Sequence, residues 1–203
     1  MLLLFAAETT WSDSWFLPTP MTQASRKGQF RVTVFPRQLD GALPYFEDKL
    51  EGREPAGQRL DELSRCEATL EKLVGNHYEQ VWRKPLVNEV APVTVLVSDL
   101  DGSFITFDNW HRKGWGDDAI AIYSGSGELR RKFSLTDVLS QREFDELPRS
   151  VSSIQWDGEH YLDSSEPPVV HLQVVLRETY KRDQIQREFK TVKLRLDTAE
   201  VVK

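Results

Sequence analysis

The chain has 203 residues, of which 39% are apolar and 29% are charged, a composition typical of a folded globular protein. Its 26 basic and 32 acidic residues give a net charge of −6, which argues against nucleic acid or anionic lipid as the main partner, because both need a basic footprint. The single cysteine, Cys66, excludes an internal disulfide and a cysteine-based zinc site. We predict one domain over residues 1–203, with no cofactor.

Residues 1–8 leave two interpretations open. An apolar run from Leu2 to Ala7 ends in small residues before Glu8. A signal peptide has a basic segment and a longer apolar one, and a transmembrane helix needs about 20 apolar residues. The run is therefore either the remnant of a signal peptide, which implies a periplasmic or exported protein, or the first strand or an apolar N-terminal plug of a cytoplasmic one. No membrane span is predicted.

Alternation of apolar and polar residues recurs along the chain and predicts antiparallel strands with one solvent-facing side. The clearest pair is 170–176 with 192–196, and the polar residues 178–188 are predicted to connect them. The other predicted strands are 30–34, 66–71, 78–84, 93–97, 103–107, 119–123, 128–133, 153–156 and 160–162. The predicted core consists of Val32, Leu70, Trp82, Val95, Val97, Phe107, Ile120, Ile122, Phe133, Trp156, Leu172, Val174, Val192 and Leu194.

Helical signals are confined to residues 136–147, where Ser140 and Glu143 have the spacing of a capping box. Residues 37–64 are rich in glycine, proline and charge, and they predict a long surface loop with a short helix at Leu60–Leu63. The predicted fold class is therefore mostly β. Its antiparallel sheets form a partial-propeller or two-sheet arrangement, with a short helical segment near 136–147.

The segment from Val95 to Phe133 contains the run Val-Ser-Asp-Leu-Asp-Gly-Ser-Phe-Ile-Thr-Phe-Asp-Asn-Trp-His, then Gly-Asp-Asp, then Ala-Ile-Ala-Ile-Tyr. This pattern is similar to a group of uncharacterised bacterial β-rich proteins, many of them exported, and residues 83–88 and 147–153 share the similarity. It also resembles one blade of a β-propeller, in which strands and tight turns follow each other. The resemblance implies a propeller-like bacterial protein and brings no catalytic residue with it.

Within that segment, residues 95–103 resemble the first motif of haloacid-dehalogenase-like phosphatases. The resemblance would make Asp99 the nucleophile, Asp101 the acid/base, and Asp117 with Asp118 the later metal-binding pair. Only about fifteen residues separate the two pairs, whereas those phosphatases place a set of strands and helices between them. We therefore predict an Asp-Gly turn, and keep a metal-assisted hydrolase or cation site on these four aspartates as the alternative.

The loop that follows the strand at 103–107 is the main candidate binding site. Loops on a rigid scaffold often carry recognition, and Trp and Arg are enriched at binding hot spots. Two interpretations stay open: a recognition surface, or a hydrophobic lid with both tryptophans turned inward. A general-base role for His111 oriented by Asp108 lacks a candidate nucleophile. The candidate binding residues are Asp108, Asn109, Trp110, His111, Arg112, Lys113 and Trp115.

These features predict a non-enzymatic binding or protein-interaction module, envelope-associated if the N-terminus is a signal remnant. Its predicted partner is another protein. A small metal-assisted hydrolase is the first alternative, based on the Asp-x-Asp-Gly motif. An acidic inhibitor or immunity-type protein is the second, based on the net charge of −6 and the small size.

Overall fold

The computed structural model describes residues 16–59, 65–181 and 184–202. Within these ranges the chain forms twelve strands and three short helices, which confirms the mostly β, antiparallel fold. None of the described helices is long and apolar enough to cross a bilayer. Two predicted features, the N-terminal segment 1–8 and the short helix at Leu60–Leu63, lie outside the described residues.

The strands form three four-stranded antiparallel sheets, and in each sheet they are arranged in chain order. Sheet I contains β1 (Met21–Ala24), β2 (Phe30–Phe35), β3 (Glu67–Val74) and β4 (His77–Pro85); sheet II contains β5 (Thr94–Val97), β6 (Phe104–Phe107), β7 (Ile120–Tyr123) and β8 (Leu129–Phe133); sheet III contains β9 (Tyr161–Leu162), β10 (Val169–Lys181), β11 (Gln184–Arg195) and β12 (Val201–Val202). A four-stranded meander in chain order is also the plan of a propeller blade, and the propeller resemblance stays a prediction.

Sheet II lies between the other two sheets, and every residue of β6 and β7 is buried. On one face, Phe104 and Tyr123 stack and pack with the apolar residues of sheet I. On the other face, Ile105, Phe107 and Ile120 pack with those of sheet III. Burial on both faces explains why these strands are almost continuously apolar, since neither side of the pleat meets water.

The predicted core is buried as expected, except that Trp82 is half-buried and its Nε1 donates a hydrogen bond to the Gly125 carbonyl. One predicted strand, 153–156, is instead a linker that makes only isolated bridges. Its apolar residues Ile154 and Trp156 are nevertheless fully buried in the core.

Helices α2 (Leu135–Val138) and α3 (Gln141–Glu146) occupy the predicted helical segment 136–147. The capping box at the start of α3 is present: the Ser140 hydroxyl accepts from the Glu143 N–H, and the Glu143 carboxylate accepts from the Ser140 N–H.

Helix α1 (Ala42–Glu51) corrects the prediction of a loop over 37–64. Its apolar periodicity is weak because Tyr45 is its only buried residue, while Leu43 and Leu50 are exposed. Gly52 ends the helix in the left-handed conformation, with φ 69°, which glycine adopts at little cost.

The pairing of β10 with β11 includes residues 178–181 and 184–188, which were predicted to belong to a polar connection. This part of the hairpin shows no apolar alternation because its described side chains on β11 are exposed. Cross-strand neighbours Glu178 and Arg187 form an ion pair with an N–O distance of 2.7 Å. The strand signal was therefore missing although the pairing is regular.

The stack of sheets has two ends. At the turn end, β5 joins β6 through residues 98–103, next to the β1–β2 turn. At the loop end, β6 joins β7 through residues 108–118, against α1 and the link from β4 to β5. Because both faces of β6 and β7 are covered, exposed groups near these strands are found at the two ends, whereas the outer strand β8 exposes four of its five residues.

Two substitutions test the burial of both faces of sheet II. We expect Phe104→Ala and Ile105→Ala each to lower the free energy of unfolding by about 2–5 kcal/mol, because these neighbours face opposite cores. Urea denaturation measures the change, and Leu129→Ala on the exposed side of β8 is the control. A large loss for one neighbour and almost none for the other would contradict the three-layer packing.

Candidate binding loop

The loop 108–118 between β6 and β7 is divided into a buried part and an exposed part. Asp108, Asn109 and Trp110 are buried at its start, and Asp118 is buried at its end. Arg112 and the residues from Trp115 to Asp117 are exposed between them. The structure thus brings the predicted binding residues into one loop but gives them different environments.

Asp108 fixes the base of the loop. Its Oδ1 accepts hydrogen bonds from the Gly114 N–H at 2.6 Å and from Trp156 Nε1 at 2.9 Å. Its backbone has a φ of 59°, a conformation in which Asp and Asn are enriched among non-glycine residues. Burial raises the pKa of Asp108 to about 7, although both hydrogen bonds oppose the rise. The carboxyl is therefore a structural anchor that closes the loop on the core.

Asn88, from the link between β4 and β5, reinforces this anchor. Its Nδ2 donates to the Asp108 carbonyl at 3.0 Å and to Asn109 Oδ1 at 2.8 Å. Asn88 and Asn109 are both buried, and hydrogen bonding of this kind offsets the cost of burying amide groups. Asn109 therefore helps to order the base of the loop.

Trp110 is a hydrophobic lid, one of the two roles considered for it. Its ring is stacked on Phe46 with centroids 6.1 Å apart and meets Tyr45 edge-on at 5.4 Å. Its Nε1 donates to the Phe16 carbonyl at 2.7 Å. Both aromatic neighbours belong to α1, so the helix that the sequence pattern did not reveal is the element that covers Trp110.

His111 is bound by Tyr45 and not by Asp108. The Tyr45 hydroxyl donates to Glu89 Oε1 at 3.0 Å and lies 3.1 Å from His111 Nε2. The pKa of His111 is lowered to about 4, mainly because the ring is buried. Since Asp108 is occupied by Gly114 and Trp156, the Asp108–His111 pair considered from the sequence is not formed.

The cluster beneath His111 contains charged residues that the sequence analysis did not single out. Glu89 Oε1 forms ion pairs with Lys49 Nζ at 2.7 Å and with the buried Arg37 at 3.6 Å. The partners come from α1, from the residues after β2 and from the β4–β5 link. Such a long-range cluster has no local pattern by which it could be found.

Trp115 is the exposed tryptophan of the loop, with 38% of its surface accessible. The Arg149 guanidinium lies 5.3 Å from its ring centroid, and Phe144 packs against it edge-on at 6.2 Å. Lys113, a cation of the same loop, pairs instead with Asp157 at 2.6 Å. Arg149 comes from the segment after α3, which is distant in sequence from the loop.

The segment 149–154 lies against the loop. The Ile154 N–H donates to the Lys113 carbonyl at 3.0 Å, which holds the segment in place. We call the surface formed by Trp115, Phe144 and Arg149 the Trp115 patch.

The four aspartates of the phosphatase-like motif are not brought together. Asp99 and Asp101 lie at the turn end, whereas Asp117 and Asp118 lie at the loop end. The four residues of β6 separate the two ends, and a strand rises roughly 3.3 Å per residue. No group of three or more candidate ligands able to hold a metal ion occurs in the described part of the chain.

Three of these aspartates have hydrogen-bond or ion-pair partners within the fold. The Asp99 carboxylate accepts from the Lys27 N–H at 2.9 and 3.0 Å. Asp101 accepts from the Ser103 N–H at 3.0 Å and from its hydroxyl at 2.7 Å, as expected for the predicted turn. Asp117 pairs with Lys132 at 2.6 Å. Asp99, Asp101 and Asp117 therefore have structural partners, whereas Oδ1 of the buried Asp118 accepts no hydrogen bond from the described residues.

Comparison with protein-family models, curated proteins and solved structures finds no match to this chain. Its function is therefore inferred from its own geometry.

Asp108→Asn tests the buried anchor through the pH dependence of stability. The folded pKa of Asp108, about 7, exceeds its ordinary value of 3.8, so between these values the folded state binds more protons than the unfolded state. Raising the pH through this window therefore lowers the free energy of unfolding of the wild type, by at most about 1.4 kcal/mol per pH unit. The neutral Asn keeps the acceptor oxygen. We expect Asp108→Asn to gain stability over the wild type as the pH rises from 4 to 7.

Urea titrations at several pH values measure this difference. Comparison of the two proteins at each pH cancels the opposite contribution of His111, whose lowered pKa weakens the fold as the pH falls from 6.5 to about 4. Asp108→Ala is the control: it leaves the Gly114 and Trp156 donors unpaired, so it should be less stable at every pH. A variant Asp108→Asn that is less stable than the wild type at pH 8 would contradict the anchor.

Divalent cations test the aspartates. Because the two pairs lie at opposite ends of sheet II, millimolar Mg²⁺ or Ca²⁺ should leave the melting temperature unchanged. Differential scanning calorimetry with and without the metals provides the measurement. A metal-dependent rise that disappears in Asp101→Asn or Asp117→Asn would revive the hydrolase alternative.

Proposed function

We propose that the chain is a non-enzymatic protein-interaction module that binds its partner through the Trp115 patch. The observation that carries the proposal is a tryptophan that stays partly exposed on a loop whose base is fixed in the core. Tryptophan and arginine dominate binding hot spots because they bury a large area and still offer a polar group.

The rigidity of the loop supports the proposal. Gly114 has a φ of 75°, and a Cβ at this position would lie 2.7 Å from Ile154 and 3.0 Å from Trp156, so the backbone is tightly packed just before Trp115. Binding by a preordered surface loses less conformational entropy than binding by a mobile loop. Trp115 is therefore presented at low entropic cost.

The chemistry of the patch favours a protein surface as its partner. Trp115 and Phe144 offer apolar area, and the Arg149 guanidinium lies over both aromatic rings, 4.8 Å from the Phe144 centroid. An arginine held in this way is preordered to donate to a carboxylate or carbonyl of a partner. We expect the partner to combine an apolar side chain with such an acceptor.

The two alternatives have less support. The hydrolase requires four aspartates to meet, and β6 separates them. An acidic inhibitor or immunity-type protein is a special case of the interaction module, with only the net charge of −6 and the small size in its favour.

Trp115→Ala is the direct test, with the tagged chain as bait in a lysate of the native organism. We expect the variant to lose the captured partner, because truncation of a hot-spot tryptophan costs about 2 kcal/mol or more of binding. Its melting temperature should stay close to that of the wild type. Capture followed by titration calorimetry with the purified partner measures both the loss and its size.

Two matched variants separate binding from folding. Phe189→Ala removes an aromatic residue of similar exposure, 50%, from sheet III and should keep the partner. Trp110→Ala should lower the free energy of unfolding by about 3–5 kcal/mol, because it opens the lid. Retention of the partner by a folded Trp115→Ala would refute the proposed function.

A further inference from the structure

A second candidate site lies at the turn end, on the opposite side of sheet II from the Trp115 patch. It is a cleft of about 620 Å³ formed by one connection from each sheet: the β1–β2 turn, the β5–β6 turn and the β9–β10 loop. Here the first strands of the three sheets end side by side, because β5 packs beside both β1 and β9. The volume is within the range of about 300–1,000 Å³ that is common for small-molecule sites.

The walls of the cleft are fixed by hydrogen bonds. The Asp99 carboxylate accepts from the Lys27 N–H and so joins the first two walls. On the third wall, Asp163 accepts from the Ser165 N–H and hydroxyl and from the Val169 N–H, and His171 Nε2 lies 3.0 Å from its other oxygen. The cleft is therefore preformed, and both carboxylates are already occupied.

The remaining charges are divided between opposite walls. Arg26 and Lys27 lie on the wall of sheet I, are exposed, and make no ion pair with the described residues. Glu166 lies on the wall of sheet III and also has no ion pair within the described ranges. Apolar side chains line the space as well, namely those of Val97, Leu162 and Pro168.

We propose that this cleft binds a small zwitterion of the size of a dipeptide. Its carboxylate would pair with Arg26 and Lys27, its ammonium group with Glu166, and its aliphatic part would contact the apolar lining. A partly enclosed cleft strengthens such charge pairs relative to open water. A ligand with only one charge would leave one of the two walls unpaired. The site is independent of the proposed interaction patch, which lies at the loop end.

Four forms of one ligand test the proposal: alanyl-leucine, its N-acetyl form, its C-terminal amide, and the doubly blocked form. We expect the free dipeptide to bind the full chain at least tenfold more tightly than either singly blocked form, because each block removes one charge. Saturation-transfer NMR detects binding, and titration calorimetry measures the affinities. Trp115→Ala should bind the dipeptide like the wild type, which separates this site from the interaction patch.

Charge variants locate the site. Arg26→Gln with Lys27→Gln should weaken the free dipeptide and leave the C-terminal amide unaffected, whereas Glu166→Gln should weaken the free dipeptide and leave the N-acetyl form unaffected. Arg142→Gln and Glu188→Gln, exposed charges outside the cleft, are the matched controls and should change nothing. Equal binding of all four ligand forms, or no binding at 10 mM, would overturn the proposal. So would an unchanged affinity in both cleft variants.

Discussion

The structure depends on the burial of both faces of sheet II. Because β6 and β7 pack against sheet I on one side and sheet III on the other, the middle of the protein offers little surface for recognition. The side chains near these strands that are available for binding are therefore found at the strand ends, where the connections leave the core. The Trp115 patch and the zwitterion cleft lie at opposite ends, and each is formed by connections from more than one sheet. A change at one end can leave the other intact.

Asp108 links this core to the patch. A carboxyl group in an apolar core is costly unless hydrogen bonds compensate it, and here Gly114 and Trp156 supply them. The same two bonds bring the middle of the loop back onto the core, just before Trp115. The rigidity that supports a binding role for Trp115 is thus a consequence of a buried polar group. Replacement of that group by an apolar residue would remove the constraint on the loop.

Much of the fold could be predicted because the alternation of apolar and polar residues shows which side of a strand is buried. The strands of sheet II and nearly all the predicted core are where the pattern placed them. Helix α1 was missed because only Tyr45 of its residues is buried, and the end of the β10–β11 hairpin was missed because its described β11 side chains are exposed. For the binding loop 108–118, the sequence predicted only which residue types are present and not how they are arranged. Trp110 and Trp115 belong to the same loop, and their different roles depend on distant residues, Phe46 over one and Arg149 over the other. No local pattern carries that information.

The central claim is that one half of the loop 108–118 maintains the fold while the other half binds. Oxidative footprinting of tryptophan, mapped by mass spectrometry in the free protein and in its complex with the captured partner, tests this claim most directly. The account predicts that Trp115 is modified in the free protein and protected in the complex, whereas Trp110 and Trp156 are protected in both. Equal modification of Trp115 with and without the partner, or ready modification of Trp110 in the free protein, would contradict it.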